Sequence, residues 1–395
     1  MKKTILAISI MLLNGPLYLY SQQIPETKVF LLTCSPGTAV YSIYGHSALR
    51  IINPEQNSDL VYNWGIFDFS TPNFAWKFAK GRLMYQLGVD TYDKFLQIYF
   101  FEQRWVQSQR INLDNDEINR LYELINENLK PENVKYHYDF FYDNCSTRIR
   151  DILEKSVGVK LLYPPEERKG IPTFRDKIGE YQMPYPWLKL GVDLLVGTPG
   201  DKKAFFRERM FLPVDMQNGL SDAVISRDGK MIPLLQNPET VLEFPSPEKK
   251  QIFFTSPIFI FSLLLIGIIL FSALYRNKKA NKILDIVVFS VFSVLALLMV
   301  FFNFFSGHPQ LKWNLNMIWL NPFIILCLAS VVFNRDWQIW FRIVFVMALL
   351  LTVILLIFPG AFNNAFIPML LILLLRSAAR AGFSWNPLSV ITDPT

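Results

Sequence analysis

The last third of the chain decides what this sequence is able to fold into. Ile252 to Tyr275 carries no carboxylate and no base. As a helix rising 1.5 Å per residue, a run of that length crosses the roughly 30 Å hydrocarbon core of a bilayer. Three more apolar runs follow, at about Ile283 to Phe305, Met317 to Phe333 and Ile339 to Phe358, separated by polar stretches such as SGHPQLKWNLN at 306–316. Four membrane-spanning helices are therefore expected. After the break PGAFNN, Ala365 to Leu375 is too short to cross alone. It is read as a fifth span, with a re-entrant or interfacial segment as the alternative.

The opening MKKTILAISIMLLNGPLYLYSQQ has two lysines, a short apolar stretch and a small residue, Ser21, where cleavage is expected, the pattern of a secretory signal over 1–21. Its apolar run is short for a retained helix. With the signal removed outside, the first span runs inward and delivers Arg276, Lys278, Lys279 and Lys282 to the cytoplasm. Arg335, Arg342, Arg376 and Arg380 then fall on the same side, as the bias of basic residues toward the cytoplasm requires. A globular domain over 22–250, closed by the linker FPSPEKKQ, and the 306–316 loop share the outer face. A membrane domain over 251–380 and a cytoplasmic tail over 381–395 complete the organisation.

The apolar content of 51% agrees with a membrane part, and the net charge of +6 is spread among these loops. No basic tract suits nucleic acid. Neither a His/Cys cluster with metal spacing nor a glycine-rich phosphate loop is present, so no metal or organic cofactor is implied.

Within the outer domain KVFLLTC, HSALRIINP and DLVYNWGIFDF read as strands. LDNDEINRLYELINENLK is helical by the spacing of Ile118, Leu121, Leu124 and Ile125, with one face at the surface. KYHYDFFYDN is again strand-like, and Ile149, Ile152, Leu153 and Val157 mark a helix from Cys145 closed by Gly158. Asn144 is its expected N-cap.

A thiol in the first turn of a helix feels the partial positive charge of the backbone N–H groups, which favours thiolate. The same N–H groups are candidates to hold the oxyanion of a tetrahedral intermediate. An imidazole completes such a nucleophile by taking and returning a proton. His46, after Gly45 at the head of a strand, is the preferred partner and His137 its rival; a glycine there lets another chain segment come close. The alternative is a buried thiol and a core imidazole. Cys34 precedes a turn rather than a helix, and Cys327 lies in an apolar run, so a Cys34–Cys145 disulfide is the one bridge to consider.

LLTCSPGTAVYSIYGHSALRI, VYNWGIFDFSTPNFAWKFAKGRLMYQLGV, FYDNCSTRIRDIL, WLKLGVDLLVGTPGD and MFLP, in this order, resemble the Lnb family of bacterial lipoprotein N-acyltransferases. GHPQLKWNLNMIWLNP at 307–322 resembles that family's membrane part. The His-first, Cys-last order is similar to that of permuted papain-like thiol enzymes of the NlpC and lecithin:retinol acyltransferase type. The resemblance implies an α+β permuted papain-like periplasmic domain followed by an all-α transmembrane domain of 4–5 helices. It implies transfer of a fatty acyl chain from a membrane phospholipid to the α-amino group of a diacylglyceryl lipoprotein, with Cys145 as nucleophile and His46 as base. Asn63 is the candidate to orient the imidazole, with Asp68 behind it. Arg82 and Arg104 are candidates for holding a phosphate, or stack on neighbouring aromatics. Phe67, Phe69, Phe74, Trp76 and Phe78 either dip into the interface or fill the domain core. His308 and Asn314, with Asn316 and Asn321, are candidates for an acceptor or headgroup site, or loop residues at the interface. A peptidoglycan amidase or peptidase, a phospholipase, and a non-catalytic membrane assembly protein are the alternative functions.

Overall fold

A computed structural model describes residues 26–166, 169–245, 253–275, 277–358 and 362–383. The expected signal, 1–21, lies outside these residues, as do 246–251 of the linker, Arg276 and 384–395 of the tail. In chain order the outer domain contains strands β1 (Lys28–Cys34), β2 (His46–Asn53), β3 (Ser58–Ile66), β4 (Met84–Thr91), β5 (Val106–Arg110) and β6 (Lys135–His137). Then come β7 (Leu161–Leu162), β8 (Val224–Arg227) and β9 (Lys230–Pro233), which form a small sheet of their own, and finally β10 (Glu239–Leu242). The main sheet is antiparallel with strand order β10-β5-β1-β2-β3-β4-β6.

The helices of this domain are α1 (Phe74–Ala79), α2 (Tyr92–Phe101), α3 (Asn115–Leu129), α4 (Cys145–Val157), α5 (Phe174–Gln182), α6 (Pro186–Leu195), α7 (Phe206–Arg209) and α8 (Pro213–Ser221). Central strand β1 is apolar at consecutive positions because both faces of the sheet are covered. On one face α3 and α4 bury Leu121, Ile149 and Leu153 against Leu31, Leu49 and Trp64. On the other, Phe95 and Tyr99 of α2 cover Leu32, Ala48 and Val61. The periodicity read for α3 and α4 is the face each turns to the sheet, and Asp114 and Glu117 close α3 with a reciprocal capping box.

KYHYDFFYDN departs from its strand reading after His137. The Asp139 carboxylate accepts the amides of Phe141 at 2.9 Å and Tyr142 at 3.0 Å, and this local turn replaces ladder bonds with side-chain ones. The chain is thereby turned into the start of α4.

The membrane part comprises α9 (Pro257–Leu274), α10 (Lys278–Val300), α11 (Phe323–Val332), α12 (Gln338–Ile357) and α13 (Phe366–Arg380). Four helical stretches among the described residues are long and apolar enough to cross a bilayer: Pro257–Leu274, Lys278–Phe305, Leu315–Val332 and Gln338–Ile357. The second ends in a π turn, Phe301–Phe305. The third is not one regular helix: a 3-10 turn at Leu315–Ile318 precedes α11, because Pro322 lacks the N–H that would continue the ladder. Residues expected as a fifth span form α13. It begins where Asn363 bonds Asp193 of α6 at 2.8 Å and ends where Arg376 and Arg380 meet the Asp285 carboxylate at 2.7 Å each. It thus runs from the bundle end that faces the outer domain to the opposite end.

The two parts meet through the 306–318 segment. Gly197 N–H donates to the Gln310 carbonyl at 2.8 Å, and Gly307 N–H to the Lys80 carbonyl at 2.8 Å. A Cβ at Gly197 would lie 1.8 Å from the Lys312 carbonyl oxygen, so only glycine fits there. Asn314 Nδ2 donates to the carbonyls of Leu194 and Leu195 at 2.9 and 2.8 Å.

Candidate active site

Cys145 is the first residue of α4, and Asn144 fixes it there from three directions. Asn144 Oδ1 accepts the amides of Ser146 and Thr147 at 2.9 Å each, while its Nδ2 donates to the carbonyls of Phe140 and Phe211 at 2.7 and 3.0 Å. Its own amide donates to Thr147 Oγ1 at 2.7 Å. The cap answers the sequence expectation and also corrects it. The amides of Ser146 and Thr147, expected to be available to an oxyanion, are taken by Asn144, and that of Arg148 by the Asn144 carbonyl.

His46 opens β2, opposite Cys34 in the register of β1. Gly45 precedes it at φ 82°, and a Cβ there would lie 2.8 Å from the Cys34 carbonyl oxygen, so the close approach suspected from the glycine is that of β1. Asn63 comes from β3. The imidazole Nε2–H donates to Asn63 Oδ1 at 2.5 Å. Since a carbonyl oxygen only accepts, this bond leaves Nδ1 free to serve the thiol. The His46 side chain and the Ser47 amide both act on the Cys145 thiol and favour its ionised form. The Ser146 hydroxyl stands 3.9 Å from its Sγ. The side chains brought together are thus Cys145, His46 and Asn63.

Burial is the largest influence on both ionisable members and works against charge on each. On Cys145 it is outweighed by the His46 charge, by the His46 hydrogen bond and by the Ser47 amide and Ser146 hydroxyl, so the thiol titrates below its ordinary value. On His46, burial and the more distant Arg104 charge are outweighed by Cys145 and Asn63, so the imidazole titrates above its ordinary value. The two shifts act in one sense, each group favouring the charged form of the other. Cys34 is the contrast: burial, only partly offset by Arg104 and Tyr99, pushes its pKa up to about 12. Both it and Cys145 are free thiols, and no bridge joins them.

The remaining candidates lie elsewhere. His137 is exposed on edge strand β6. Asp68 is exposed in a turn, bonding the Ser70 amide at 2.8 Å, and does not stand behind Asn63. Arg104 is buried: Nε donates to the Ser35 carbonyl and Nη1 to Glu102, each at 2.7 Å, and the guanidinium lies over Tyr99. It is not offered to a headgroup at the surface, because its charge stabilises the turn after β1. Asn314, and Asn316 beside it, spend their amides on the carbonyls of α6, which makes them clamps between the domains rather than parts of a headgroup site. Asn321 caps the start of α11. His308 Nε2–H donates to the Phe78 carbonyl at 2.7 Å. Arg82 is exposed beside Gly81 on the same hairpin.

Sequence reasoning did not single out Ser47 and Ser146, whose hydroxyls lie 3.3 Å apart. The signal was present as a serine directly after each of His46 and Cys145. Among the described residues no group of three His, Cys, Asp or Glu side chains is placed to hold a metal ion. Chemically, the arrangement holds a thiol whose ionisation is favoured beside an imidazole whose ring is oriented by an amide oxygen.

No curated protein and no solved structure matches the chain. Residues 18–173 match the family described as Lnb N-terminal periplasmic domain, and residues 248–384 match that described as Lnb transmembrane domain. The protein is thus an inner-membrane protein with a periplasmic domain. With both parts matched in order and together covering well over half of the sequence, the chain belongs to the Lnb family.

Proposed function

We propose that the protein transfers a fatty acyl chain from a membrane phospholipid, through a thioester on Cys145, to the α-amino group of the diacylglyceryl-cysteine of lipoproteins. The observation that carries this reading is the meeting of Cys145, His46 and Asn63 in a domain joined to its own membrane bundle. A thiol enzyme acting on soluble substrates gains nothing from four spans, whereas here donor and acceptor are both held in the bilayer.

In the first half-reaction the Cys145 thiolate attacks the carbonyl carbon of the phospholipid ester. The tetrahedral intermediate collapses, the C–O bond breaks, and the leaving alkoxide takes the proton of the His46 imidazolium to depart as lysophospholipid. In the second, the neutral α-amine of the lipoprotein attacks the thioester. His46, now neutral, accepts the amine proton, and the C–S bond breaks to restore the thiolate and release the amide. Asn63 keeps Nδ1 toward the sulfur in both halves. The first-turn donor not engaged by the Asn144 cap is the Cys145 amide, and it is our candidate for the oxyanion.

Two further points belong to this reading. A helix-borne cysteine meeting a histidine that comes earlier in the chain, on the adjoining sheet, supports a permuted papain-like domain. The bundle end remote from that domain gathers Lys282, Arg342 and Arg380, bonded to Asn334, the Ala381 carbonyl and Asp285, which supports placing that end in the cytoplasm.

The test is to incubate the full-length protein with phospholipid and a diacylglyceryl lipopeptide and to follow both by mass spectrometry. An N-acylated peptide appearing together with lysophospholipid is the expected result. Lysophospholipid and free fatty acid without acylated peptide would leave a phospholipase, and no change in either lipid would overturn the acyl-transfer reading.

A further inference from the structure

Helix α1 buries none of its six residues, yet its sequence is FAWKFA. Trp76 is 56% and Phe78 50% exposed, an apolar face that an isolated soluble domain does not leave to water. What covers it follows from where it sits. Trp76 stacks on Phe301 at 5.4 Å, at the π turn that ends the second span. Ser306 Oγ donates to the Ala79 carbonyl at 2.8 Å and His308 to that of Phe78. A Cβ on Gly81 would lie 2.9 Å from the backbone of Gly307 and His308. The hairpin is therefore seated at the end of the membrane bundle, its aromatic face beside the end of the second span.

From that face a series of rings leads inward. Phe78 stacks with Phe74 at 6.4 Å, Phe74 meets Phe67 at 5.8 Å, Phe67 meets Tyr85 at 5.3 Å and Tyr85 stacks on Tyr138 at 4.5 Å. At its inner end lies Gly65, φ 90°, where a Cβ would stand 3.4 Å from the Tyr138 ring and 3.8 Å from Cys145 Cβ. Tyr138 and the thiol residue thus flank one gap that a side chain at position 65 would fill. Exposure falls along the row, from Phe78 at the surface to the half-buried Phe67, Tyr85 and Tyr138. Cations stand at its outer end: Lys80 lies over Trp76 at 4.9 Å and Arg82 is exposed on the turn that follows. Aromatic throughout and basic at the mouth, the row suits a phospholipid, phosphate outside and chain within.

We propose that the row from Trp76 to Tyr138 is the track along which one acyl chain of a membrane phospholipid leaves the bilayer to reach Cys145, its phosphate staying at the mouth beside Lys80 and Arg82. This rests on the acyl-transfer reading and adds to it the donor's route. Methylenes lying on the rings exchange contact with neighbouring lipid tails for contact with the protein, so the ester is able to rise to the thiol without passing through water.

The test uses the full-length Cys145→Ala protein in phospholipid nanodiscs that contain a phospholipid with a diazirine on one acyl chain near the ester. After irradiation, labelled residues are mapped by mass spectrometry. Labels on Phe67, Tyr85 or Tyr138 are expected. Phe67→Glu should lower labelling of Tyr85 and Tyr138 by about tenfold, since it sets a charge in an aromatic track. Labelling of the spans serves as the folding control and stays constant. Labels confined to the spans, or stopping at Trp76 and Phe78, would overturn the track and leave only a seat in the interface. Because the readout needs no reaction at residue 145, thioester formation by the unaltered protein judges the acyl-transfer reading separately.

Discussion

Ser47 Oγ and Ser146 Oγ lie 3.3 Å apart in the interior, one directly after His46 and the other directly after Cys145. The contact joins the first turn of α4 to the first residues of β2 and so fixes how imidazole and sulfur face each other. Both residues are fully buried and each hydroxyl is the other's partner, and an orphaned buried hydroxyl costs about 1–3 kcal/mol. Ser47→Ala and Ser146→Ala should each destabilise the domain by about that amount, while the double variant costs less than the two added together. Chemical denaturation of the four proteins checks the cycle, and strict additivity would mean that the two hydroxyls do not interact.

The pH dependence of Cys145 follows from the directions of its shift and that of His46. The thiol is lowered and the imidazole raised, each because the other's charge favours its own. Reactivity falls as pH drops through the lowered thiol value. On the alkaline side the imidazolium proton is lost as pH rises through the raised His46 value. Alkylation by iodoacetamide should therefore persist at pH values where an ordinary thiol, with pKa about 8.5, is mostly protonated. His46→Ala leaves burial as the dominant influence and should move the inflection upward, slowing alkylation at neutral pH by more than about tenfold. An unchanged profile would show that the histidine does not hold the charge.

Asn63 acts through His46, and its removal should be milder than removal of the base. Without the amide oxygen the ring is free to rotate and to adopt the other tautomer. Asn63→Ala should lower turnover roughly 10- to 100-fold, against the roughly 10²–10⁴-fold that a general base contributes. It should also shift the acid limb of the rate profile, a change that simple loss of packing would not produce. Asn63→Asp offers an acceptor in the same place and should recover part of the rate.

Much of this site was legible in the sequence because its parts are local. A histidine heading a strand, a glycine before it, and an asparagine capping a cysteine-led helix each leave a short signature, and β1, β2 and α4 follow the expected bounds. Asn63 was legible more weakly, as a polar residue in an aromatic strand. The long-range uses of side chains left no such trace. Arg104 resembled a phosphate ligand because nothing local reveals that the Ser35 carbonyl lies over it. Asn314 resembled a headgroup ligand because the open carbonyls at the end of α6 are 119 and 120 residues away. The oxyanion donors were overcounted for a different reason: the residue that best caps the helix is the one that consumes its free N–H groups.

The seam between the domains yields a prediction with its own control. Gly197 has no room for a side chain, since a Cβ would overlap the Lys312 carbonyl oxygen at 1.8 Å. Gly197→Ala must push the 309–318 segment away from α6, breaking the bond to the Gln310 carbonyl and disturbing the Asn314 clamp. Overpacking of this kind costs about 1–3 kcal/mol, and the loosened segment becomes accessible to protease. Gly191, on the same helix, has no atom within 4 Å of its added Cβ. Gly191→Ala should leave the seam closed and stabilise the helix by about 0.5–1 kcal/mol. Limited proteolysis of both variants, read by the position of the first cut, separates them. If the acyl chain must pass from bundle to thiol, only Gly197→Ala should also slow thioester formation from phospholipid in a bilayer. Equal resistance to protease in the two variants would mean that the segment holds its place without this contact.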